Sequence, residues 1–197
     1  MNKIKVTDYF KDLGKLFSEI QVTDRGNKSI GLTTALEDSI KIISALRSSK
    51  EPENKVMLIG NGGSAAIASH IAVDFWKNGG IRSTAFNDSS LLTCVGNDFG
   101  YPYVFSKPIE MFADKGDVLI AISSSGKSDN ILNGVKAAES KGCRIITMSG
   151  FKPDNPLRLT GDLNFYVPSM SYGYVELIHN ALCHCVVDVV VENFNSK

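Results

Sequence analysis

The sequence has no surplus of charge of either sign: lysine plus arginine and aspartate plus glutamate number 21 each. Binding along a phosphate backbone needs a basic excess or stripe, so no nucleic acid is expected as partner. No run of about 20 apolar residues is present, the length that a bilayer-spanning helix needs, so no membrane is expected either. The N-terminal MNKIKVTDYFKDLGK has lysines without a following apolar stretch and reads as lacking a secretory leader. Cysteine is sparse. Cys94, Cys143, Cys183 and Cys185 form no CxxC pair and sit in apolar surroundings, which points to reduced packing residues rather than disulfides or a zinc knuckle. Internal repeats and low-complexity tracts are missing, and so is the GxxxxGK[ST] of a Walker loop. The expectation is a soluble cytoplasmic protein forming one domain over residues 1–197, with 43% hydrophobic content to build a core.

What is there falls into two parts. Residues 1–50 read as a helical extension. VTDYFKDLGKLFSEIQV places Tyr9, Phe10, Leu13, Leu16, Phe17 and Ile20 at helical spacing. TTALEDSIKIISALRSS does the same with Leu36, Ile40, Ile43 and Leu46, and Thr34 with Glu37 forms a capping box. The polar SSKEPENK follows as a linker. From residue 55 onward short apolar runs, KVMLIG, GIRSTAF, DVLIAIS, CRIITMSG and LNFYVPS, alternate with helical stretches such as NILNGVKAAESKG. This pattern predicts an α/β fold: a three-layer, doubly wound, parallel five-stranded sheet of flavodoxin-like type. Additional helices flank it at both termini, the last over residues 172–194.

In such sheets ligands bind beyond the carboxyl ends of the strands, where loops enter helices. Two loops have the right chemistry. Gly60-Asn61-Gly62-Gly63-Ser64 lets backbone approach an anion at a helix N-terminus. Ser123-Ser124-Ser125-Gly126-Lys127-Ser128 sets four hydroxyls around a glycine, which suits the oxygens of a phosphate monoester. The bland alternative, that serines merely cap helices, covers one or two of them. Gly60-x-Gly62-x-x-Ala65 also fits a dinucleotide fingerprint, but that motif wants an acid about 20 residues on, and Asp88 comes later among turn residues. No nucleotide cofactor is therefore expected.

His70 and Asp74 share a helix face, which by itself reads as a surface hydrogen bond. Glu176 and His184, eight apart, lie about 80° apart around the last helix. Two histidines and two carboxylates on two helices would serve as ligands of a zinc-like ion or as acid and base. His179 points away from His184 and reads as a packing or interface residue.

GNGGS, His70 with Asp74, CVGNDFG, ISSSGKS and the late ELIHNALCH together resemble the SIS-domain phosphosugar isomerases, and among them the phosphoheptose isomerases. The resemblance runs from about residue 55 to the C-terminus. It implies interconversion of sedoheptulose 7-phosphate and D-glycero-D-manno-heptose 7-phosphate, for lipopolysaccharide or capsule, through an enediol. Matching positions assign Asn61, Gly62, Gly63, Asn97 and Asp98 to substrate, joined by Ser64 and Glu176. Ser123, Ser124, Ser125 and Ser128 take the phosphate. His70, Asp74, Glu176 and His184 match the zinc-binding positions of metal-containing members, with Asp74 as candidate base and His184 as candidate acid. The family is typically tetrameric, with sites at subunit interfaces.

Three positions depart from the family's pattern: Asp74 replaces a glutamate, Glu176 a glutamine, and Gly173 an acidic residue. These favour, as an alternative, another sugar phosphate as substrate. A second alternative is a non-catalytic SIS protein that binds a replication initiator, which has no need for the His and carboxylate set. A sugar-sensing transcription factor would need an added DNA-binding domain, for which the N-terminal part is too short and too evenly charged.

Overall fold

The computed structural model describes residues 5–48 and 54–195. The linker expected over 48–55 falls mostly outside them, as do the first four residues. In chain order the elements are α1 (Tyr9–Ser18), β1 (Gln21–Asp24), β2 (Ser29–Ile30), α2 (Leu32–Ser48), β3 (Val56–Gly60), α3 (Gly63–Lys77) and β4 (Ser83–Ala85). Then come α4 (Ser89–Asp98), a 3-10 turn (Tyr101–Tyr103), α5 (Ser106–Phe112), β5 (Val118–Ser123), α6 (Asp129–Ser140), β6 (Arg144–Ser149), a second 3-10 turn (Pro156–Leu159), β7 (Leu163–Tyr166) and α7 (Tyr172–Asn195).

The strands form one sheet in the order β2-β1-β7-β6-β5-β3-β4. Its five parallel members, β4, β3, β5, β6 and β7, are the five apolar runs of the sequence. Alternation of side chains divides the core between the two faces. Val56 and Leu58 join the helices α2, α3 and α7, whereas Met57 and Ile59 join α5 and α6. The result is the expected three layers.

The N-terminal part differs from a purely helical extension. β1 and β2 form a hairpin, and β1 adds antiparallel to β7 with Val22 opposite Phe165. The first helix therefore stops at Ser18 instead of running through Val22. The Glu19 N–H bonds the Leu16 carbonyl to close it, and Val22 is 1% exposed once paired against β7. An edge strand with free backbone groups outweighs the helical spacing of a segment four residues long. Arg25 pins the hairpin through Asp162 at 3.1 Å and through Glu139. Thr34 does not start the second helix either. α2 begins at Leu32, with the Gly31 carbonyl accepting from Ala35 N–H at 3.0 Å, so Thr34 lies inside the first turn.

Two features place the site. β3 and β5 are neighbours, with Gly60 opposite Ile122, so the loops leaving them lie side by side. α7 packs along α2 and α3. By length and composition α7 could cross a bilayer, with a mean hydropathy of 1.4, but half of that window is buried here. Val175, Ile178, Leu182, Val186 and Val190 face the core, which accounts for the helix's apolar character.

Candidate active site

The serine loop turns at Gly126, whose φ of 62° suits glycine, and a Cβ there would run into the Asn155 side chain. The Gly126 N–H closes the turn onto the Ser123 carbonyl at 3.1 Å. Ser128 is the N-cap of α6, yet its hydroxyl makes no capping bond. Ser124 is 5% exposed and its Oγ is buried without a partner. A buried hydroxyl left unpaired costs about 1–3 kcal/mol, so an idle one at a helix N-terminus signals a ligand position. Local turn and cap bonds occupy Ser123 and Ser125, which accept from the Gly126 and Lys127 N–H groups at 3.1 and 3.3 Å, but fail to explain Ser124 and Ser128; all four serines face one ligand space. They line a cleft of about 120 Å³ together with Asn61, Ser64, Tyr172 and Glu176.

The glycine loop forms the opposite wall. Gly62 is the N-cap of α3 with φ 55°, a left-handed conformation. Gly63 lies against the Glu176 carboxylate so closely that a Cβ there would overlap it. This contact ties the first turn of α3 to the first turn of α7.

About two turns further along both helices lies the second cluster. Asp74 Oδ2 is 3.4 Å from His70 Nε2 and 3.9 Å from His184 Nδ1. The two imidazole rings are 5.4 Å apart at their centroids. Asp74 is the most buried of the three, with 16% of its side chain exposed against 60% for His70 and 35% for His184. Its other oxygen accepts from Asn78 Nδ2 at 3.3 Å, one turn on. Two imidazole nitrogens and a carboxylate oxygen lie within 4.8 Å of one another, a donor set able to hold one divalent ion.

Glu176 is outside that group, so the structure gathers three of the four expected ligands. Eight residues separate it from His184, which is about 12 Å along the helix axis, whereas four residues separate His70 from Asp74. Angular convergence on a helix face does not cancel axial distance. Glu176 instead lines a cleft of about 370 Å³ with Gly63, His70 and Gly173, and also lines the serine cleft. It is the residue common to both.

Asn97 and Asp98 are exposed at the end of α4, bond each other at 2.9 Å and line neither cleft. Three residues on, Tyr101 does reach the site, donating its hydroxyl to Asn61 Oδ1 at 3.0 Å. Asn61 and Asn130 exchange two amide bonds of 2.9 Å each. Nothing in the sequence marked Tyr101 or Asn130; Asn78, four residues after Asp74, had a spacing signal. Asp88 is the N-cap of α4, accepting from Ser90 N–H at 2.9 Å and Leu91 N–H at 3.1 Å. The Ser90 hydroxyl, then these backbone donors, hold its carboxyl below the usual range. His179 is fully buried, as a packing residue should be. Cys143 and Cys183 are buried, but Cys94 and Cys185 are exposed, so a packing role holds for only two of the four.

A family model for the SIS domain matches residues 29–150. The phosphoheptose isomerase of Nitratiruptor sp. is 37% identical over 162 residues, covering 79% of this chain and 84% of that protein. This chain belongs to the SIS-domain phosphoheptose isomerase family. The enzyme of that name from Aeromonas hydrophila is likewise 37% identical, over 164 residues and 85% of its length. Among solved structures, a phosphoheptose isomerase from Neisseria gonorrhoeae matches with a TM-score of 0.77 at 28% identity, covering 94% of this chain and 97% of that one. The chain is an isomerase of this family.

Proposed function

We propose that this chain interconverts sedoheptulose 7-phosphate and D-glycero-D-manno-heptose 7-phosphate in the cytoplasm, as part of heptose synthesis for lipopolysaccharide or capsule. The observation that carries the reading is the position of Glu176, which lines both the serine cleft and the cleft of His70. A sugar phosphate held by its phosphate in the first cleft extends its far end past Glu176 toward the His–Asp–His group. Binding energy gained at the phosphate, remote from the reacting carbons, then fixes the register of the chain.

From the ketose, Asp74 removes a proton from C1 while His184 donates one to the C2 oxygen, giving a cis-enediol. Return of the C1 proton to C2, with loss of the O1 proton to His184, completes the aldose. Asn78 holds Asp74 Oδ1 and leaves Oδ2 for this work. His70, Asp74 and His184 are the residues that would hold a zinc ion; with zinc bound, Asp74 would be a weaker base and Glu176 would share the proton transfer. Three protein ligands with an open position is the pattern of catalytic zinc. When bound, the ion supplies Lewis-acid polarisation at the oxygens of C1 and C2. Exposed apolar side chains on α1, α3 and α7, with Phe10 79%, Trp76 54% and Leu177 46% exposed, support a homo-oligomer, a tetramer by family.

A second reading keeps the reaction and changes the sugar. It is favoured at Gly173, where a Cβ would meet the Tyr9 hydroxyl at 3.2 Å, so α1 occupies space that the family's acidic side chain would use. Turnover of sedoheptulose 7-phosphate beside a panel of other ketose and aldose phosphates, with and without zinc and chelator, tests both. Aldose formation from the heptulose supports the first reading; selective turnover of another sugar phosphate replaces it with the second.

A further inference from the structure

The two loops that form the serine cleft come from different strands, and a pair of asparagines joins them. Asn61 opens the glycine loop after β3. Asn130, 2% exposed, is the second residue of α6. Each amide donates to the other's oxygen at 2.9 Å. Asn130 Oδ1 also accepts from the Ile131 backbone N–H at 3.0 Å, and Asn61 Oδ1 from the Tyr101 hydroxyl at 3.0 Å. A backbone N–H can only donate, so it fixes which end of the Asn130 amide is oxygen, and through the pair which end of Asn61 is nitrogen. Both lone pairs of each oxygen are then taken. What Asn61 has left is one Nδ2 hydrogen, on a side chain that lines the cleft.

We propose that Asn130 and Tyr101 are positioning residues for the isomerase reaction. They lock the Asn61 amide with its nitrogen as donor to a sugar oxygen, and they fix the glycine loop against the serine loop. The distance between the phosphate grip and the sugar's reacting end is thereby set by a hydrogen-bonded clamp across two strands. Without Asn130 the Asn61 amide rotates and offers its carbonyl as readily as its N–H; without Tyr101 it keeps its sense but loses one of the two donors that hold Oδ1 in place, and the spacing loosens. The proposal rests on the reading of the cleft as a sugar phosphate site.

Tyr101 is 59% exposed, so Tyr101→Phe removes one hydroxyl with little consequence for folding. The expected result is a fall in kcat/KM of roughly tenfold, the usual weight of one orienting hydrogen bond, carried mainly by kcat. Affinity for inorganic phosphate, read by calorimetry, stays within about twofold because the serine loop is untouched. Asn130→Ala gives a larger fall in the same direction. In an Asn61→Ala background, Tyr101→Phe has no further effect, because its action passes through Asn61. Unchanged kinetics in Tyr101→Phe, or effects that multiply independently of Asn61, would overturn the proposal while leaving the isomerase reading standing. A parent protein that neither binds nor converts any sugar phosphate overturns both.

Discussion

His179 ties α7 to the sheet, and acid should undo that tie. Its ring is fully buried, and Nε2 lies 3.1 Å from the Ser149 carbonyl at the end of β6. A carbonyl only accepts, so Nε2 carries the hydrogen and Nδ1 is the bare nitrogen. Nδ1 is buried with no partner. Protonation would put a charge and an unmatched N–H into that space. Burial accordingly pushes the imidazole from its ordinary 6.5 down to about 4, and the Ser149 carbonyl opposes this only in part. The unfolded chain takes up this proton near pH 6.5, whereas the folded chain resists until about pH 4. Stability from this group is complete above pH 6.5 and declines as pH falls toward 4. At about 1.36 kcal/mol per pH unit, the whole interval is worth about 3–4 kcal/mol, of which about 2–3 kcal/mol is gone by about pH 4.5.

The carboxyls held low in the fold, Asp114 by Lys55 and Asp162 by Ile145 N–H and Arg25 against its burial, act in a different window. Their stabilisation is present above the ordinary 3.8 and is lost chiefly below it. Urea unfolding of the parent and of His179→Gln at about pH 7 and about pH 4.5 therefore isolates the histidine. The parent should lose about 2–3 kcal/mol more than the variant across that interval. Equal losses in the two proteins would refute the assignment of His179 as a buried neutral imidazole.

Ser124→Ala should weaken inorganic phosphate binding by roughly 10- to 100-fold, the weight of a hydrogen bond to a charged group, with no loss of thermal stability because the hydroxyl has no protein partner. Calorimetry and a melting curve on the same sample check both halves. Asp74→Asn keeps the shape of the side chain but removes the base, and kcat should fall by about 100-fold or more while the melting temperature holds. Gly63→Ala sets a methyl against the far end of the flexible Glu176 side chain, which can swing aside, so stability should hold to within about 0.5 kcal/mol while kcat/KM falls because the carboxylate is displaced from the clefts. Urea unfolding beside steady-state kinetics checks both halves; a stability loss above about 1 kcal/mol would mean that the carboxylate is held rigidly.

The parallel sheet was legible because its strands are buried on both faces and so are written as unbroken apolar runs; β3 and β5 are buried at every position. The hairpin was not. β1 has four residues and β2 two, and their pairing depends on β7, which comes some 140 residues later. Helical spacing around Ile20 runs straight into β1, and only the free edge of β7 decides against it. The serine loop was legible from composition, and the unpartnered Ser124 hydroxyl is its physical counterpart. His70 with Asp74 was legible from i,i+4 spacing. The angle around α7 groups Glu176 with His184, but the rise along the helix sets Glu176 level with Gly63 instead.

That rise is what gives the site its shape. α3 and α7 run side by side, with Gly63 against Glu176 at one level and His70, Asp74 and His184 gathered further along. The seven residues from Gly63 to His70 and the eight from Glu176 to His184 advance by nearly the same distance, about 10–12 Å. One end of the helix pair therefore faces the serine cleft, and the other carries the His–Asp–His group. A ligand spanning both must be long and must have its anion at one terminus and its reactive carbons at the other. A carboxylate at Glu176, at the serine-cleft end of the pair, adds a negative charge where a glutamine would be neutral. It repels a second anionic group at that point and accepts hydrogen bonds from hydroxyls. The chain thus favours a polyhydroxylated monophosphate of extended shape over a bisphosphate or a sugar acid. Glu176→Gln should relax that discrimination, and comparing kcat/KM for monophosphate and bisphosphate ketoses before and after the change measures it; an unchanged ratio would mean that the carboxylate does not face the substrate.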